Sequence, residues 1–486
     1  MTWAVGDCQI GILTSFGPGQ DDFDVVIALA ALLIVLFAGL CYALYQRPQR
    51  GLLLVAALAP FHGLLQVIPN ALQFGPWKES LLALTALATF VTPNRRTRAR
   101  VSIPWWPAAA IFLGIGVLSC IFVIGVTNAP YPFKITYFFM VAVTFIVWRT
   151  PFTRRDRDHL ITIMMVMSFV TAVYGIAQQI LGAEFLVNEL GYRYNMDLRF
   201  NGPLLRSIST FSQPFPFGLY MMLCLLVCGA VALSDTKRMR NRLFLLATPV
   251  VLAGMGVSLV RAAYLGFIVG LIWLAVHRYR YLFGGLAAAS AIGAFSLLFI
   301  PPGLPAHVFS GSSLQERNSG WSQIGTLLTT NPFGEGLGAT GAAAAKVATS
   351  SGVNEKYLDL LQTLNPKLAY QPDNYYIKIL LELGPIGLWA LLTLLITVLV
   401  STLRASRITT GSDSALALGV SASIVAACVA SVVSTYFEIF PLELYFWLLL
   451  GAVGSAVGEV NASAETTVTT KKFLDSHAGP PARECA

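Results

Sequence analysis

The sequence carries little charge. Only 12% of its 486 residues are Asp, Glu, Lys or Arg, and 56% are hydrophobic. A water-soluble domain has about 25% charged residues, so this composition excludes an ordinary soluble protein. Apolar runs recur from one end of the chain to the other. Because about 20 apolar residues cross a bilayer core, they predict an all-α integral membrane protein, a polytopic bundle of about 12–14 transmembrane helices.

Cysteine and histidine are also scarce. The seven cysteines show no disulfide or zinc spacing, and there are only five histidines. The segment Asp21-Asp-Phe-Asp24 offers oxygen ligands for a divalent metal, but its place beside the first span favours a role in orienting the chain. The N-terminus lacks a basic region and a small-residue cleavage site, so no signal peptide is predicted. We expect no metal site and no cofactor.

Thirteen apolar segments are predicted to span the membrane. They are centred on residues 25–45, 51–69, 79–92, 104–126, 134–148, 159–182, 215–234, 243–260, 262–276, 282–300, 376–402, 415–435 and 438–457. The first ten form an N-terminal bundle, 1–300, which includes an outer loop at 183–214. A large loop with short helices covers 301–375, and the last three spans lie within 376–458. The tail, 459–486, is expected to be disordered and cytoplasmic.

Basic residues predict the orientation of the bundle. The short loops on one side of this topology and the C-terminal tail hold 21 of the 32 Lys and Arg residues. Basic residues in short loops mark the cytoplasmic side of a membrane protein. The two long loops, 183–214 and 301–375, are therefore predicted to lie outside the cytoplasm.

Arg261 lies in an apolar run that is too long for one span. The run Leu243–Val276 has 34 residues and is basic at both ends. This pattern predicts a helical hairpin that crosses twice, with its outer turn at Ser258-Leu-Val-Arg-Ala-Ala-Tyr264. An arginine at that boundary is costly unless it is paired or functional. The structural alternative is a snorkelling arginine that caps a helix end.

Arginine recurs in the predicted outer loops, at Arg193, Arg199, Arg206 and Arg317. Because the guanidinium fork matches phosphate oxygens, arginines beside the outer leaflet would suit a lipid-linked diphosphate. A solvated surface is the preferred interpretation for Arg193 and Arg199. Arg317 belongs to a predicted amphipathic helix that begins at the capping box Ser313-Leu-Gln-Glu316 and carries Trp321 on its apolar face.

An Asp-Asn pair ends the large loop. Asp373 and Asn374 precede the eleventh predicted span, which begins Tyr375-Tyr-Ile-Lys378. Asp and Asn are preferred helix N-caps, so capping alone would account for both residues. A carboxylate at this place is also a proton acceptor when it is partly desolvated.

Four stretches occur in a characteristic order. They are Arg206-Ser-Ile-Ser-Thr-Phe-Ser-Gln-Pro214, Ser258-Leu-Val-Arg-Ala-Ala-Tyr-Leu-Gly266, Arg317 to Trp321 leading into Asn331-Pro-Phe-Gly-Glu-Gly-Leu-Gly338, and Asp373-Asn-Tyr-Tyr376 running into Glu382-Leu-Gly-Pro-Ile-Gly387. Together they resemble the O-antigen polymerase and O-antigen ligase family of bacterial envelope glycosyltransferases. The resemblance covers residues 200–390, and the flanking spans match it only in hydropathy.

The resemblance implies an enzyme of polysaccharide biosynthesis in the bacterial inner membrane, with its active site facing the periplasm. The implied reaction is metal-independent, inverting glycosyl transfer between polyprenyl-diphosphate-linked glycans, which serve as donor and acceptor. Membrane lipid, a chain-length regulator and export proteins are further implied partners, and no nucleic acid is expected.

The resemblance also implies roles for individual residues. Fixed cations would stabilise the departing diphosphate, and our candidates are Arg206, Arg261 and Arg317. Asp373 would take the proton of the acceptor hydroxyl. The candidate substrate-binding residues are Asn374, Tyr375, Gln213, Tyr264 and Trp321.

One departure from the family decides between its two activities. Ligases of this family place a histidine where this chain has Asp373, so we favour a polymerase over a ligase that transfers glycan to lipid A-core. Glu438 is a second candidate for the base, although its aromatic neighbours are also typical of an interfacial belt. A non-enzymatic lipid-glycan transporter is the alternative of another class. It predicts charged residues spread along the interior of the spans.

Overall fold

The computed structural model describes residues 20–68, 74–92, 101–194, 198–201, 204–287, 333–340 and 374–477. Within these ranges the chain is almost entirely helical. The α-helices in chain order are α1 (Gln20–Gln46), α2 (Gln49–Leu58), α3 (Trp77–Val91), α4 (Trp106–Phe122), α5 (Pro130–Arg149), α6 (Arg154–Asn188), α7 (Pro214–Ser234), α8 (Met239–Val257), α9 (Arg261–His277), α10 (Tyr375–Ile408), α11 (Gly411–Ala430) and α12 (Leu442–His477). Two 3₁₀ helices, Ala59–Gln66 and Tyr436–Glu438, and two short strands, β1 (Arg199–Asn201) and β2 (Leu204–Arg206), complete the described elements.

Six of the described helices are long and apolar enough to cross a membrane, namely α5, α6, α7, α10, α11 and α12 as far as Glu465. Shorter apolar helices occur at Ile34–Gln46 within α1, in α4 and in α9. The protein is therefore an all-α polytopic membrane protein, as its composition predicted.

The bundle has two chemically different ends. At one of them, the basic end, short connections join α5 to α6, α7 to α8 and α10 to α11. Arg157 is buried there and lies 2.8 Å from both Asp413 and Glu459, which ties α6 to α11 and α12. The opposite end, the distal end, holds the connections from α6 to α7, from α8 to α9 and from α11 to α12.

The predicted hairpin within Leu243–Val276 is confirmed as a pair of helices. α8 ends at Val257 and α9 begins at Arg261, so the turn between them has three residues. Leu259 in this turn has a φ of 52°, and the left-handed conformation lets the chain reverse within so short a connection.

Several predicted boundaries differ from the observed ones. α2 stops at Leu58 and continues as a 3₁₀ helix, since Pro60 cannot donate the next helical hydrogen bond. α6 runs past the predicted end of its span, with a break at Gly182 where φ is 78°. α12 extends to His477, so the first part of the predicted tail is helical. Most of the tenth predicted span and the predicted helix at Ser313 lie outside the described residues.

Small residues bring the central helices into close contact. A Cβ atom built at Gly419 of α11 would lie 2.9 Å from the Cα of Val227 in α7. A Cβ at Gly266 of α9 would lie 2.9 Å from the carbonyl oxygen of Ala426 in α11. Such approach is the usual basis of helix association in a bilayer, where hydrophobic exclusion from water is absent. These contacts enclose α7, so the segment that begins at Arg206 leads into a tightly packed helix.

Candidate functional site at the distal end

A two-stranded hairpin carries Arg206 at the distal end. β1 and β2 are antiparallel, and Arg199 is the partner of Arg206 in the register. Directly opposed residues of antiparallel strands have Cβ atoms about 4.5–5.5 Å apart and point to the same face. The hairpin therefore sets two arginines side by side, an arrangement that the sequence analysis did not predict.

The segment after β2 is fixed by buried hydrogen bonds. The Oε1 atom of Gln178 in α6 accepts from the N–H groups of Ile208 (3.2 Å) and Ser209 (2.7 Å), and its Nε2 donates to the carbonyl of Ser209 (3.0 Å). These bonds hold Ser209 at a φ of 53°, a left-handed conformation that costs about 1–2 kcal/mol outside glycine. The Thr210 hydroxyl donates to the carbonyl of Pro60 at 2.7 Å. The motif that begins at Arg206 is thus anchored to two neighbouring elements.

The turn between α8 and α9 is tied to the same motif. The N–H of Ser207 donates to the carbonyl of Val257 at 3.1 Å. The Tyr264 hydroxyl donates to the carbonyl of Gly256 at 2.6 Å, which closes the turn from the α9 side. Arg261, the first residue of α9, has an exposed side chain. Two of the predicted arginine candidates, Arg206 and Arg261, therefore lie on adjoining segments.

Arg206 occupies an uncompensated electrostatic environment. Its Nε is buried without a hydrogen-bond partner, and its guanidinium lies 5.1 Å from the ring centroid of Phe215. Burial lowers the pKa of Arg206, and Arg199 and Arg261 lower it further, whereas Tyr264 opposes them. Within the described ranges, no ion pair involves any of these three arginines.

A cation in this position is expected to attract an anionic ligand. Removing a guanidinium from water without a counter-charge is costly, and clustering three arginines adds repulsion. A phosphate group would relieve both, because it accepts paired hydrogen bonds from the planar fork of each arginine. The arrangement therefore has the chemistry of a phosphate or diphosphate site.

The remaining predicted residues fall into different places. Asn374 caps α10, since its Oδ1 accepts from the N–H groups of Tyr376 (2.9 Å) and Ile377 (3.2 Å). Tyr375 is an interior residue, 2% exposed, whose ring packs on Phe437 at 5.5 Å. Capping is thus confirmed for Asn374, and the Tyr375 side chain does not face solvent.

Other candidates lie at the entrance to α7 or beyond the described residues. Gln213 immediately precedes α7, is exposed, and makes no side-chain cap bond. It is therefore free to contact a ligand near Arg206. Asp373, Arg317 and Trp321 lie outside the described residues.

A buried ionic network lies near the start of α10. Lys378 Nζ is 2.9 Å from Glu382 Oε2 and 2.8 Å from Glu438 Oε1. The Thr136 hydroxyl donates to the same Glu438 oxygen at 3.1 Å, which brings α5 into the network. The sequence analysis proposed Glu438 but not its partners. The available signal was the spacing of Lys378 and Glu382, a helical i, i+4 pair in an otherwise apolar run.

Glu443 adds a further carboxyl group to this region. It is 3% exposed, and its Oε1 has no hydrogen-bond partner. A buried carboxyl oxygen without a hydrogen-bond partner among the described residues is energetically costly.

α10 is interrupted just beyond this network. Gly384 has φ 69° and ψ −175°, and Pro385 follows it. Because proline lacks an N–H, the carbonyl of Leu381 loses its usual helical donor. The N–H of Glu335 donates to that carbonyl at 2.8 Å instead.

The segment 333–340, to which Glu335 belongs, makes further contacts with α10 and with α4. The N–H of Gly336 donates to the carbonyl of Glu382 at 3.0 Å, and the Thr340 hydroxyl donates to Glu382 Oε1 at 2.9 Å. The N–H of Leu337 donates to the Ser119 hydroxyl of α4 at 3.0 Å. Two of the quoted sequence stretches, the glycine-rich one and the one around Gly384, therefore form one structural unit.

Among the described residues, no group of three or more His, Cys, Asp or Glu side chains is placed to hold a metal ion. Comparison of the chain with known protein families and with curated proteins finds no match.

Proposed function

We propose that the protein is a polysaccharide polymerase that joins polyprenyl-diphosphate-linked oligosaccharide repeat units. Its distal end would face the periplasm of a bacterial inner membrane. The observation that carries this proposal is the cationic cluster around Arg206, which has no ion pair within the described part of the chain. It lies at the end of an apolar bundle where a lipid-linked diphosphate would arrive. The order of the four sequence stretches supports the same assignment.

The proposed reaction makes two demands on the protein. A hydroxyl oxygen of the acceptor sugar forms a bond to the anomeric carbon of the donor, while the bond from that carbon to the diphosphate oxygen breaks and its electron pair leaves with the diphosphate. Negative charge grows on the leaving group, and Arg206 and Arg261 would stabilise it with donors fixed in advance. Arg317 is retained as a third candidate on the strength of the sequence alone.

The acceptor hydroxyl must also lose its proton. The resemblance assigns this step to Asp373. Glu438 is less suited to this role, because Lys378 lies 2.8 Å from its Oε1 and Thr136 donates to the same atom. Both contacts engage Oε1, one of the two carboxylate oxygens that could receive the proton.

Elongation by the purified protein tests the proposal. We expect it to lengthen lipid-diphosphate-linked repeat units with no lipid A-core present, to release polyprenyl diphosphate in step with chain growth, and to be indifferent to a chelator. Strict dependence on a lipid A-core acceptor would establish a ligase instead. Absence of any transfer, with active reference enzymes under the same conditions, would count against a glycosyltransferase.

Substitution of Arg206 tests the observation on which the proposal rests. We expect Arg206→Ala to lower kcat/KM by about 100-fold, a typical loss when one transition-state donor is removed. Arg206→Lys should recover only part of it, because an ammonium lacks the paired fork. The matched control is Arg404→Ala, an exposed arginine of α10 at the basic end, which should leave transfer unchanged. Loss of protein from the membrane in parallel with loss of activity would indicate a structural role for Arg206.

One feature favours a transporter as the second candidate. Interrupted helices with buried charges often form binding sites in secondary transporters, and α10 has both. However, Lys378, Glu382 and Glu443 all lie within the first few turns of helices that begin at the distal end, so they do not form a path across the bundle. Flux of a lipid-linked glycan across protein-containing liposomes, without any glycan elongation, would favour the transporter.

A further inference from the structure

A histidine at the distal end has a polar neighbour at each of its two ring nitrogens. Trp77, the first residue of α3, donates its indole N–H to Nδ1 of His62 at 3.2 Å. The Nζ of Lys78 lies 3.2 Å from Nε2, the other nitrogen of the same ring. The two contacts bracket the imidazole from both sides.

Counting donors and acceptors shows that these two contacts are not compatible with a charged lysine. Indole is a donor only, so Nδ1 of His62 must accept and the ring proton must sit on Nε2. An ammonium has three donors and no acceptor, and would therefore face an N–H. An uncharged amine has a lone pair, which accepts from Nε2–H at the observed distance. The neutral form of Lys78 is the only one that satisfies both hydrogen bonds at once.

The charged neighbours of Lys78 do not outweigh this requirement. Glu79 Oε1 is 3.8 Å from Lys78 Nζ but 2.6 Å from Nζ of Lys134, which is therefore its close partner. The Phe440 ring, 4.6 Å from Nζ, would favour a cation. Burial has the largest effect on Lys78, which lies one residue before the third predicted span, and it lowers the pKa; Lys134 lowers it too, while Glu79 raises it.

Lys78 lies between the two clusters already described. The 3₁₀ helix that carries His62 accepts a hydrogen bond from Thr210 at Pro60, in the motif that follows Arg206. Phe440, against which both Lys78 and His62 pack, follows Glu438 by two residues. Lys78 is therefore linked to the Arg206 motif through the 3₁₀ helix of His62 and to the turn of Glu438 through Phe440, and its side chain is 12% exposed.

We propose that His62 and Trp77 hold Lys78 as an uncharged amine, and that this amine, in place of Asp373, takes the proton of the attacking acceptor hydroxyl. The second part rests on the proposed function; the first does not. Buried lysines are well suited to general-base catalysis because their charge is readily suppressed.

Each bond formed in the proton transfer and the glycosyl transfer is matched by a bond that breaks. The hydrogen bond from Nε2–H of His62 to Lys78 Nζ breaks and frees the lone pair, which bonds to the hydroxyl proton. The O–H electrons form the new bond to the anomeric carbon, and the diphosphate leaves with the electrons of the old bond. Lys78 is then an ammonium that faces the N–H of His62. That unfavourable contact promotes loss of the proton to water, which returns the amine to its starting state.

The pH dependence of amine acylation tests the charge state without any enzyme assay. Trace labelling of the full-length protein with acetic anhydride, read by mass spectrometry, gives a titration midpoint for each lysine that is independent of its accessibility. We expect the midpoint of Lys78 to lie below that of Lys237, because burial disfavours the charged form of a lysine. Lys237 is an exposed loop residue at the basic end. Equal midpoints would overturn the proposal.

A variant of the tryptophan tests the cause. Trp77→Phe removes the donor that forces Nδ1 to accept, so the ring proton can move to Nδ1 and Nε2 can accept from an ammonium. The midpoint of Lys78 should therefore rise toward that of Lys237. Trp106→Phe, at an exposed tryptophan of α4, is the matched control and should leave it unchanged. An unaltered Lys78 midpoint in Trp77→Phe would reject the hydrogen-bond explanation.

Activity assays then separate the two parts. Lys78→Arg keeps a cation that cannot become neutral, and we expect it to lower kcat by about 100-fold, the usual contribution of a general base, and to remove an ionisation from the pH profile. A lowered Lys78 midpoint in a protein without transfer activity would reject the proposed function but keep the neutral amine. Full activity in Lys78→Arg would reject the catalytic role.

Discussion

Ser207 donates its backbone N–H to the carbonyl of Val257 at 3.1 Å. This bond joins the residue after Arg206 to the last residue of α8, and Arg261 begins α9 four residues later. The two arginines are therefore positioned by backbone contacts and not by each other, since their like charges repel. A substitution that weakens the backbone contacts of the segment after Arg206 should therefore alter the cationic cluster, even though no arginine is changed.

The buried side chain of Gln178 holds this segment in place, so its substitution tests the role of these backbone contacts. Gln178→Leu would leave the N–H groups of Ile208 and Ser209 without an acceptor, and each orphaned buried donor costs about 1–3 kcal/mol. We expect a loss of about 3 kcal/mol in unfolding free energy, measured by tryptophan fluorescence in detergent, and reduced affinity for pyrophosphate. Gln179→Leu is the control, because among the described residues its side chain accepts a single bond, from the Ser207 hydroxyl at 3.3 Å. Equal destabilisation by both variants would contradict this account.

The conformation of Gly384 provides an independent prediction. With φ 69° and ψ −175°, an alanine there would be strained by about 1–3 kcal/mol. Gly384→Ala should therefore loosen the break in α10 and accelerate hydrogen exchange at the N–H groups of Glu335 and Gly336, which donate to α10. Gly229→Ala is the matched control in α7, where a Cβ meets nothing within 4 Å; there we expect a gain of about 0.5–1 kcal/mol. Unchanged exchange in Gly384→Ala would show that the glycine-rich segment does not depend on the break.

The sequence was sufficient to predict the features that repeat along it. Apolar runs predicted the helical membrane class, and two basic ends around one long run predicted the α8–α9 hairpin. The same topology placed Arg206 and Arg261 at one end of the bundle. These conclusions depend only on composition and on the length of a helix that crosses a bilayer.

Contacts between distant segments were not predictable in this way. Strands of three residues, such as β1 and β2, are too short to show an alternating pattern. The hydrogen bond from Glu335 to Leu381 forms because Pro385 leaves the Leu381 carbonyl without its helical donor. The pairing of Lys378 with Glu438 depends on how α10 packs against the turn before α12. The hydrogen bonds at His62 depend on the relative positions of three side chains, those of His62, Trp77 and Lys78. Each of these is a property of tertiary packing.

The orientation of the bundle is open to direct test. Positive-inside counting predicts that Lys237 at the basic end is cytoplasmic and that Glu189 at the distal end is external. Both are exposed. In a cysteine-free background, we expect a membrane-impermeant maleimide to label Glu189→Cys in intact spheroplasts and to label Lys237→Cys only after permeabilisation. The reverse pattern would place the arginine cluster in the cytoplasm and exclude a periplasmic active site.

Lys378 is the counter-charge of two buried carboxylates, and its removal should be correspondingly costly. Its side chain is 7% exposed, as is that of Glu438, and Glu382 is fully buried. Lys378→Met would leave both carboxylates without their cation, a change that typically destabilises a protein by about 3–5 kcal/mol. Because Glu438→Gln removes one of the stranded charges, the double variant should be less destabilised than the sum of the single variants by more than about 1 kcal/mol. Lys237→Met, at an exposed position, is the control and should change the unfolding free energy by less than about 0.5 kcal/mol. Additive effects of Lys378→Met and Glu438→Gln would show that the ion pair does not couple α10 to the turn before α12.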